Sequence, residues 1–219
     1  DAHPLGYLIL EGMALGQIYH RALGVQRYRI AVNTPGGHSW ADYGHPSAIN
    51  ELAVMIGKLS QLSLPENPRT TLNVGVIEGG FSVNTIAAQA SLELDLRSED
   101  AETLQTLVRS VEALVEQANR PDVQVKAEII GQRPAGKIST QHPLVQVAVQ
   151  ALQAQKIQPL FMIGSTDANI PLSCNFPAIT IGLTIGKGAH TIDEYILTEP
   201  LDKGLDQLLK IVTAAFQTQ

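Results

Sequence analysis

The chain has 219 residues, of which 44% are hydrophobic and 16% charged, with a formal net charge of −6. This length can bury a sizeable core, and the composition excludes a disordered or collagen-like chain. The acidic balance argues against nucleic-acid binding, which needs clustered Lys and Arg, and no apolar run reaches the roughly 18 residues of a membrane helix.

The predicted elements begin with Tyr7–Leu10, an apolar segment that we expect to form a buried strand. The run from 28 to 34 alternates like a half-exposed strand and ends at a Pro-Gly-Gly turn. Ser47 is a typical N-cap for a helix that extends to about residue 62. Further elements of this part are strands at 71–77, 90–97 and 123–130, and a helix that starts at 98–100 and is closed by Pro121.

The order from 28 to 132 is therefore β-α-β-β-α-β, the split βαβ or ferredoxin-like arrangement. It predicts a four-stranded antiparallel sheet with both helices on one face. The strongest alternation is ASLELDLR at 90–97, where Leu92, Leu94 and Leu96 share one face of the strand. About 105 residues lie in the usual size range of one domain.

After residue 132 apolar strands alternate with helices. We expect a helix at 143–155, a strand at 159–163, a Gly-Ser-Thr-Asp turn, a strand at 178–183 and a final helix at 200–216. This alternation favours a mostly parallel sheet covered on both faces. The segments 1–27 and 133–219 then form one α/β domain, and 28–132 is inserted between them.

Several polar residues stand at strand ends, where α/β proteins place functional groups. Glu11 ends the first strand, His190 lies in a Gly-rich loop, and His38 follows the Pro-Gly-Gly turn. Taken one at a time, each also fits an ordinary surface or loop residue. The turn at 164–167 and the residues Asn84 and Arg97 are equally open to both interpretations.

Other catalytic classes lack their sequence signatures. There is no Gly-x-Ser-x-Gly elbow, Walker A loop, Gly-x-Gly-x-x-Gly turn or Cys-x-x-Cys pair. The lone cysteine, Cys174, rules out an internal disulfide and has no histidine beside it. The single cysteine and the lack of a basic, apolar leader favour a soluble cytoplasmic protein.

Six segments in order nevertheless resemble one family, the zinc-dependent exopeptidases and deacylases that include acetylornithine deacetylase, succinyl-diaminopimelate desuccinylase, peptidase T and aminoacylase. The inserted β-α-β-β-α-β unit resembles the lid and dimerisation domain of that family. The matching segments are Leu8-Ile9-Leu10-Glu11-Gly12, Gly37-His38-Ser39 through Gly44-His45-Pro46-Ser47-Ala48-Ile49, Gly79-Gly80 through Asn84-Thr85-Ile86, Leu94-Asp95-Leu96-Arg97, Gly164-Ser165-Thr166-Asp167-Ala168 and Gly188-Ala189-His190-Thr191-Ile192-Asp193-Glu194.

The resemblance implies a role for each matched residue. Glu11 and His190 would each bind one of two zinc ions, for which cobalt or manganese are alternatives. His38 would reach the active site of a neighbouring subunit and stabilise an oxyanion. Asn84 and Arg97 would hold the carboxylate or backbone of a small peptide or N-acyl amino acid. Gly164, Ser165 and Thr166 would line the same pocket.

The sequence departs from the family in two ways. Ala87 stands where the family usually has proline. More importantly, the family's His-x-Asp motif, its bridging Asp and its Glu-Glu pair belong upstream of Glu11, and these 219 residues contain none of them. We therefore expect the C-terminal part of a metal-dependent amide hydrolase, inactive alone and homodimeric through the lid domain. The alternative is a non-catalytic dimerisation or ligand-binding module.

Overall fold

The computed structural model describes residues 4–217. The chain divides into two compact units, which we call the terminal unit (1–23 with 134–219) and the inserted unit (24–133). The sequence placed these boundaries at 27/28 and 132/133. The first boundary differs because the strand expected from residue 28 starts at Gly24, where Val25 and Gln26 are already buried.

The elements follow one another from residue 7 onwards. In chain order they are β1 (Tyr7–Glu11), β2 (Gln17–Ala22), β3 (Gly24–Asn33), β4 (Gly37–His38), α1 (Ala48–Ser60), β5 (Thr70–Gly79), β6 (Thr85–Ile86), β7 (Gln89–Ser98), α2 (Ala101–Ala118), β8 (Gln124–Arg133), β9 (Gly136–Lys137), α3 (Pro143–Ala154), β10 (Leu160–Gly164), α4 (Asn169–Ser173), β11 (Ala178–Gly182), β12 (Gly186–Lys187), β13 (Tyr195–Ile196) and α5 (Leu201–Gln217). No helix within residues 4–217 has the length and hydropathy to cross a bilayer.

The inserted unit is a four-stranded sheet in the order β5-β7-β3-β8, with every neighbouring pair antiparallel. This confirms the predicted ferredoxin-like arrangement. Leu92, Leu94 and Leu96 are buried, as their alternation requires, and both α1 and α2 contribute to the same core. Asp100 caps α2, accepting a hydrogen bond from the N–H of Thr103 at 2.9 Å. Ser47 precedes α1 as expected, but its side chain makes no capping bond.

The sheet of the terminal unit is mixed rather than mostly parallel. Its order is β1-β11-β2-β10, with β9 alongside β2. The pairs β1–β11 and β2–β10 are parallel, whereas β11 and β2 are antiparallel. The expectation failed because it missed β2, whose sequence QIYHRA mixes apolar with charged and polar residues. The described sheet therefore has strands running in both directions.

The core of the terminal unit lies around β11, all five residues of which are buried. The sheet isoleucines Ile18, Ile179 and Ile181 share this core with residues of α3 and with Ile211 of α5. The expectation that β1 is buried was wrong, since Tyr7 is 39% and Leu10 44% exposed. The reason is topological, because β1 is an edge strand of the described sheet.

Candidate functional site

Glu11 and His190 belong to the same edge of the terminal unit. Glu11 lies at the end of β1 opposite Gly182, the last residue of the parallel strand β11. His190 lies in the loop of the β12–β13 hairpin, which begins shortly after β11. Its φ is +64°, and its backbone N–H donates to Glu194 Oε2 at 2.8 Å. The C-terminal ends of two parallel strands thus lead to both predicted metal ligands.

Glu11 also affects a neighbouring phenol. The pKa of Tyr19, on β2, is raised above its ordinary value, first by burial and then by the negative charge of Glu11. Both causes favour the neutral phenol.

The described residues do not complete a metal site. Within residues 4–217 no group of three or more His, Cys, Asp or Glu side chains is placed to hold an ion. A catalytic zinc usually needs about three protein ligands, and a bridged pair needs more. Glu11 and His190 therefore do not suffice for the two zinc ions that the family resemblance implies.

The turn at Gly164–Thr166 begins on a strand distant from β1 and reaches β11, the neighbour of β1. Gly164 pairs with Ala22, whereas Glu11 pairs with Gly182 at the other end of the sheet. Three strand spacings and about four residues along the strands separate the backbone positions of Gly164 and Glu11 in the sheet. Thr166 shares a hydrogen bond of 2.9 Å with Thr180 of β11, which lies two residues before Gly182, the strand partner of Glu11.

Asn169, two residues after this turn ends at Asp167, was not predicted as a functional residue. Asn169 is 1% exposed, and its amide donates to the carbonyl oxygens of Leu23 and Pro134 at 2.8 and 2.9 Å. Its Oδ1 accepts from the N–H of Thr166 at 2.8 Å. Leu23 and Pro134 are the residues at which the chain leaves and re-enters the terminal unit. Asn169 therefore ties both connecting segments to one point, a role for which a lone Asn in a turn gives no signal.

His38 and Asn84 do come together, in the inserted unit. The two-residue strands β4 and β6 pair His38 with Thr85, and the N–H of Ser39 donates to the Asn84 carbonyl at 3.0 Å. Asn84 Oδ1 accepts from Ser82 Oγ at 2.6 Å. Nδ2 of Asn84 has no partner among the described residues and can donate to a ligand. This two-stranded ribbon, formed by β4 and β6, thus carries an imidazole and an amide side by side.

Arg97 occupies another part of the inserted unit. It lies on β7, opposite Val25 of β3, and its Nε donates to Asp95 Oδ2 at 2.6 Å. The Nε of Arg27 donates to the other oxygen of Asp95 at 2.7 Å. Partial burial raises the pKa of Asp95, but the two arginines outweigh it and hold that pKa below its usual value. The terminal nitrogens of Arg97 bond no other described residue and remain open to a carboxylate.

Arg97 and His38 lie near opposite ends of strand β3. Arg97 pairs with Val25, the second residue of β3. The ribbon strand β4 begins after Asn33, the last residue of β3. Eight residues of extended strand separate the two ends by about 26 Å. The structure therefore divides the predicted substrate-binding residues of the inserted unit into two groups.

Comparison with known proteins agrees with this architecture. Residues 23–123 match the family model M20_dimer, described as "Peptidase dimerisation domain". A probable carboxypeptidase from Uncinocarpus reesii is 27% identical over 108 residues, covering 44% of this chain and 24% of that protein.

Two solved structures share the fold of nearly the whole chain. Aminopeptidase PepT from Bacillus cereus superposes with a TM-score of 0.81 at 22% identity, over 96% of this chain and 57% of that one. A tripeptidase from Staphylococcus aureus gives a TM-score of 0.79 at 22% identity, over 94% and 55%. The chain thus spans little more than half the length of these structures. These matches confirm the resemblance inferred from the sequence motifs, since residues 23–123 match the dimerisation domain of the peptidase family and the chain shares the fold of two of its relatives.

Proposed function

Since residues 23–123 are a peptidase dimerisation domain of the M20 type, we propose that the whole protein is a metal-dependent hydrolase of peptide or N-acyl amide bonds. Its substrates would be small and carry a free carboxylate. The observation that carries this proposal is the pairing of that domain with a terminal unit whose fold is shared with an aminopeptidase and a tripeptidase. The substrate class rests on the side chains of the inserted unit.

Arg97 is suited to bind the substrate carboxylate. Asp95 fixes the guanidinium through Nε, which leaves the two terminal nitrogens for a bidentate contact. This arrangement favours carboxypeptidase, dipeptidase or deacylase substrates over those without a carboxylate.

The separation of Arg97 from the ribbon supports a shared site. A dipeptide or N-acyl amino acid spans about 10 Å when extended, far less than the length of about 26 Å between the two ends of β3 near which these groups lie. One small substrate therefore cannot contact both groups of one protomer. We infer that each substrate is held by Arg97 of one protomer and by His38 and Asn84 of another, which requires a homodimer.

The edges of the inserted sheet favour β5 as the strand where two copies meet. Edge strands that avoid association usually carry charged residues. The strand β8 has Lys126, Glu128 and Arg133, whereas β5 has only Glu78 near its end. Exposed apolar residues do not separate the two edges, since Ile129 and Ile130 of β8 are 53% and 38% exposed and Val76 and Ile77 of β5 are 43% and 56% exposed. Pairing of β5 with its copy would cover Val76 and Ile77.

The role of this chain is to bind and orient the substrate. Asn84 and His38 would donate hydrogen bonds to substrate oxygens, and Arg97 would neutralise the carboxylate. Since the described residues do not complete a metal site, we expect no hydrolysis by the 219-residue chain alone. Because the described residues do not supply a complete set of metal ligands, the second candidate for the isolated chain is a non-catalytic dimerisation or ligand-binding module.

The test compares substrates that differ only at the carboxylate. The whole protein should hydrolyse N-acyl amino acids or dipeptides, and kcat/KM should fall by at least about tenfold when the carboxylate is amidated, since a charge-assisted bidentate contact is lost. Arg97→Met should cause the same loss for the acid and little for the amide. Equal rates for acid and amide would contradict the assignment of Arg97, and no hydrolysis of any such substrate would contradict the hydrolase proposal.

A further inference from the structure

The loop that follows β4 is closed by a carboxylate. The backbone N–H of His38 donates to Asp42 Oδ2 at 2.7 Å, and the N–H of Asp42 donates back to the His38 carbonyl at 3.0 Å. Gly37 makes this approach possible, since a Cβ at that position would lie 2.7 Å from Cβ of Asp42. The φ of Gly37 is +144°, which side chains rarely adopt. The result is one tight turn from residue 38 to residue 42.

This turn also binds the imidazole ring. The N–H groups of Trp40 and Ala41 point at His38 Nδ1, at 3.2 and 3.3 Å. A backbone N–H can only donate, so Nδ1 must offer its lone pair. The proton of the neutral ring then resides on Nε2, the nitrogen at the far edge of the ring.

We propose that Asp42 is a positioning residue, which holds His38 as the Nε2–H tautomer by closing this turn. The outward edge of His38 is thereby a hydrogen-bond donor, and its complement is an acceptor oxygen, such as that of a carbonyl or carboxylate. A general base would need the opposite arrangement, a bare nitrogen on the outward edge. The assignment of the tautomer depends on the loop alone. The further statement that the acceptor oxygen belongs to a substrate rests on the proposed function.

The chain supplies internal comparisons for this tautomer. The ring of His142 resembles that of His38, because its Nδ1 accepts from the N–H of Leu144 at 3.2 Å. The rings of His45 and His20 are opposite cases. Their Nδ1 atoms lie 3.2 and 2.9 Å from the carbonyl oxygens of Gly36 and Ile138. A carbonyl can only accept, so these two rings carry the proton on Nδ1.

The experiment is a two-bond ¹H–¹⁵N correlation spectrum of the ¹⁵N-labelled 219-residue chain, recorded about two pH units above the ordinary histidine pKa of about 6.5. Signals are assigned with His→Gln variants. His38 and His142 should show a protonated Nε2, and His20 and His45 a protonated Nδ1. In Asp42→Ala the His38 signals should move toward the average of the two tautomers. Amide exchange at Trp40 and Ala41 should become about tenfold faster, because a hydrogen bond to a charged group is lost.

Two further variants separate positioning from charge. Asp42→Asn keeps an acceptor oxygen and should restore most of the wild-type His38 pattern. Glu66→Ala removes an equal charge from an exposed loop residue and should change none of these signals. Unchanged amide signals of β3 and β7 show that the inserted unit of each variant, which contains residues 38, 42 and 66, is still folded.

A wild-type His38 with its proton on Nδ1 or divided between the two nitrogens would overturn the inference, even if no Asp42 variant folds. An unchanged His38 pattern in Asp42→Ala would overturn the role of Asp42. Neither result depends on hydrolysis, so the proposed function and this inference can fail separately.

Discussion

Replacing Asn169 by alanine should destabilise the terminal unit and leave the inserted unit unaffected. The side chain is 1% exposed and makes three hydrogen bonds to backbone groups of Leu23, Pro134 and Thr166. An alanine leaves two carbonyls and one N–H without these partners, at a cost of about 1 kcal/mol each. The free energy of unfolding of the terminal unit should therefore fall by about 3 kcal/mol.

Hydrogen exchange measures the two units separately. Since 1.4 kcal/mol corresponds to a factor of ten, amides of β2 and β11 should exchange about one hundredfold faster in Asn169→Ala. Amides of β3 and β7, in the inserted unit, should keep their rates. The matched control is Asn50→Ala, on the exposed face of α1, which should change stability by less than about 0.5 kcal/mol. Equal effects of the two substitutions would refute the role given to Asn169.

Two further predictions concern helix packing and pH. Gly204→Ala in α5 should destabilise the terminal unit by several kcal/mol, because the new Cβ would overlap the backbone of Leu183. Gly57→Ala in α1 is the contrasting case, since its new Cβ meets no atom within 4 Å and should stabilise the inserted unit by about 0.5–1 kcal/mol. Urea unfolding followed by circular dichroism measures both changes. Burial and the hydrogen bond to Glu112 raise the pKa of Tyr28 in the folded protein. The neutral phenol therefore contributes its full stabilisation below the unfolded-state pKa of about 10, and this contribution is lost as the pH rises above that value. Tyr28→Phe should flatten that alkaline loss, and an unchanged slope of stability against pH would contradict this.

The sequence predicted the inserted unit well because its sheet buries one face. In 90–97 the leucines enter the core and the charged residues do not, so the period of two is visible in the letters. Strand β2 gave no such signal, since Arg21 and His20 interrupt its apolar residues. Two-residue strands such as β4 and β6 are too short to show any period.

The candidate site was less predictable than the fold. Sequence motifs predicted His38, Asn84 and Arg97 as site residues, but their order along the chain does not reveal that β3 separates Arg97 from the other two. Nor does it reveal the turn closed by Asp42, which depends on backbone angles at Gly37. Relations of this kind arise from strand register and loop geometry, which no single residue encodes.

The shared site is tested most directly by mixing two inactive variants of the whole protein, Arg97→Ala and His38→Ala. If each site takes Arg97 from one protomer and His38 from another, a mixed dimer has one intact site. Random exchange of subunits makes half of the dimers mixed. The mixture should then regain about a quarter of wild-type activity, whereas each variant alone should show almost none. Recovery of no activity, once mass spectrometry has shown that mixed dimers form, would contradict the shared site.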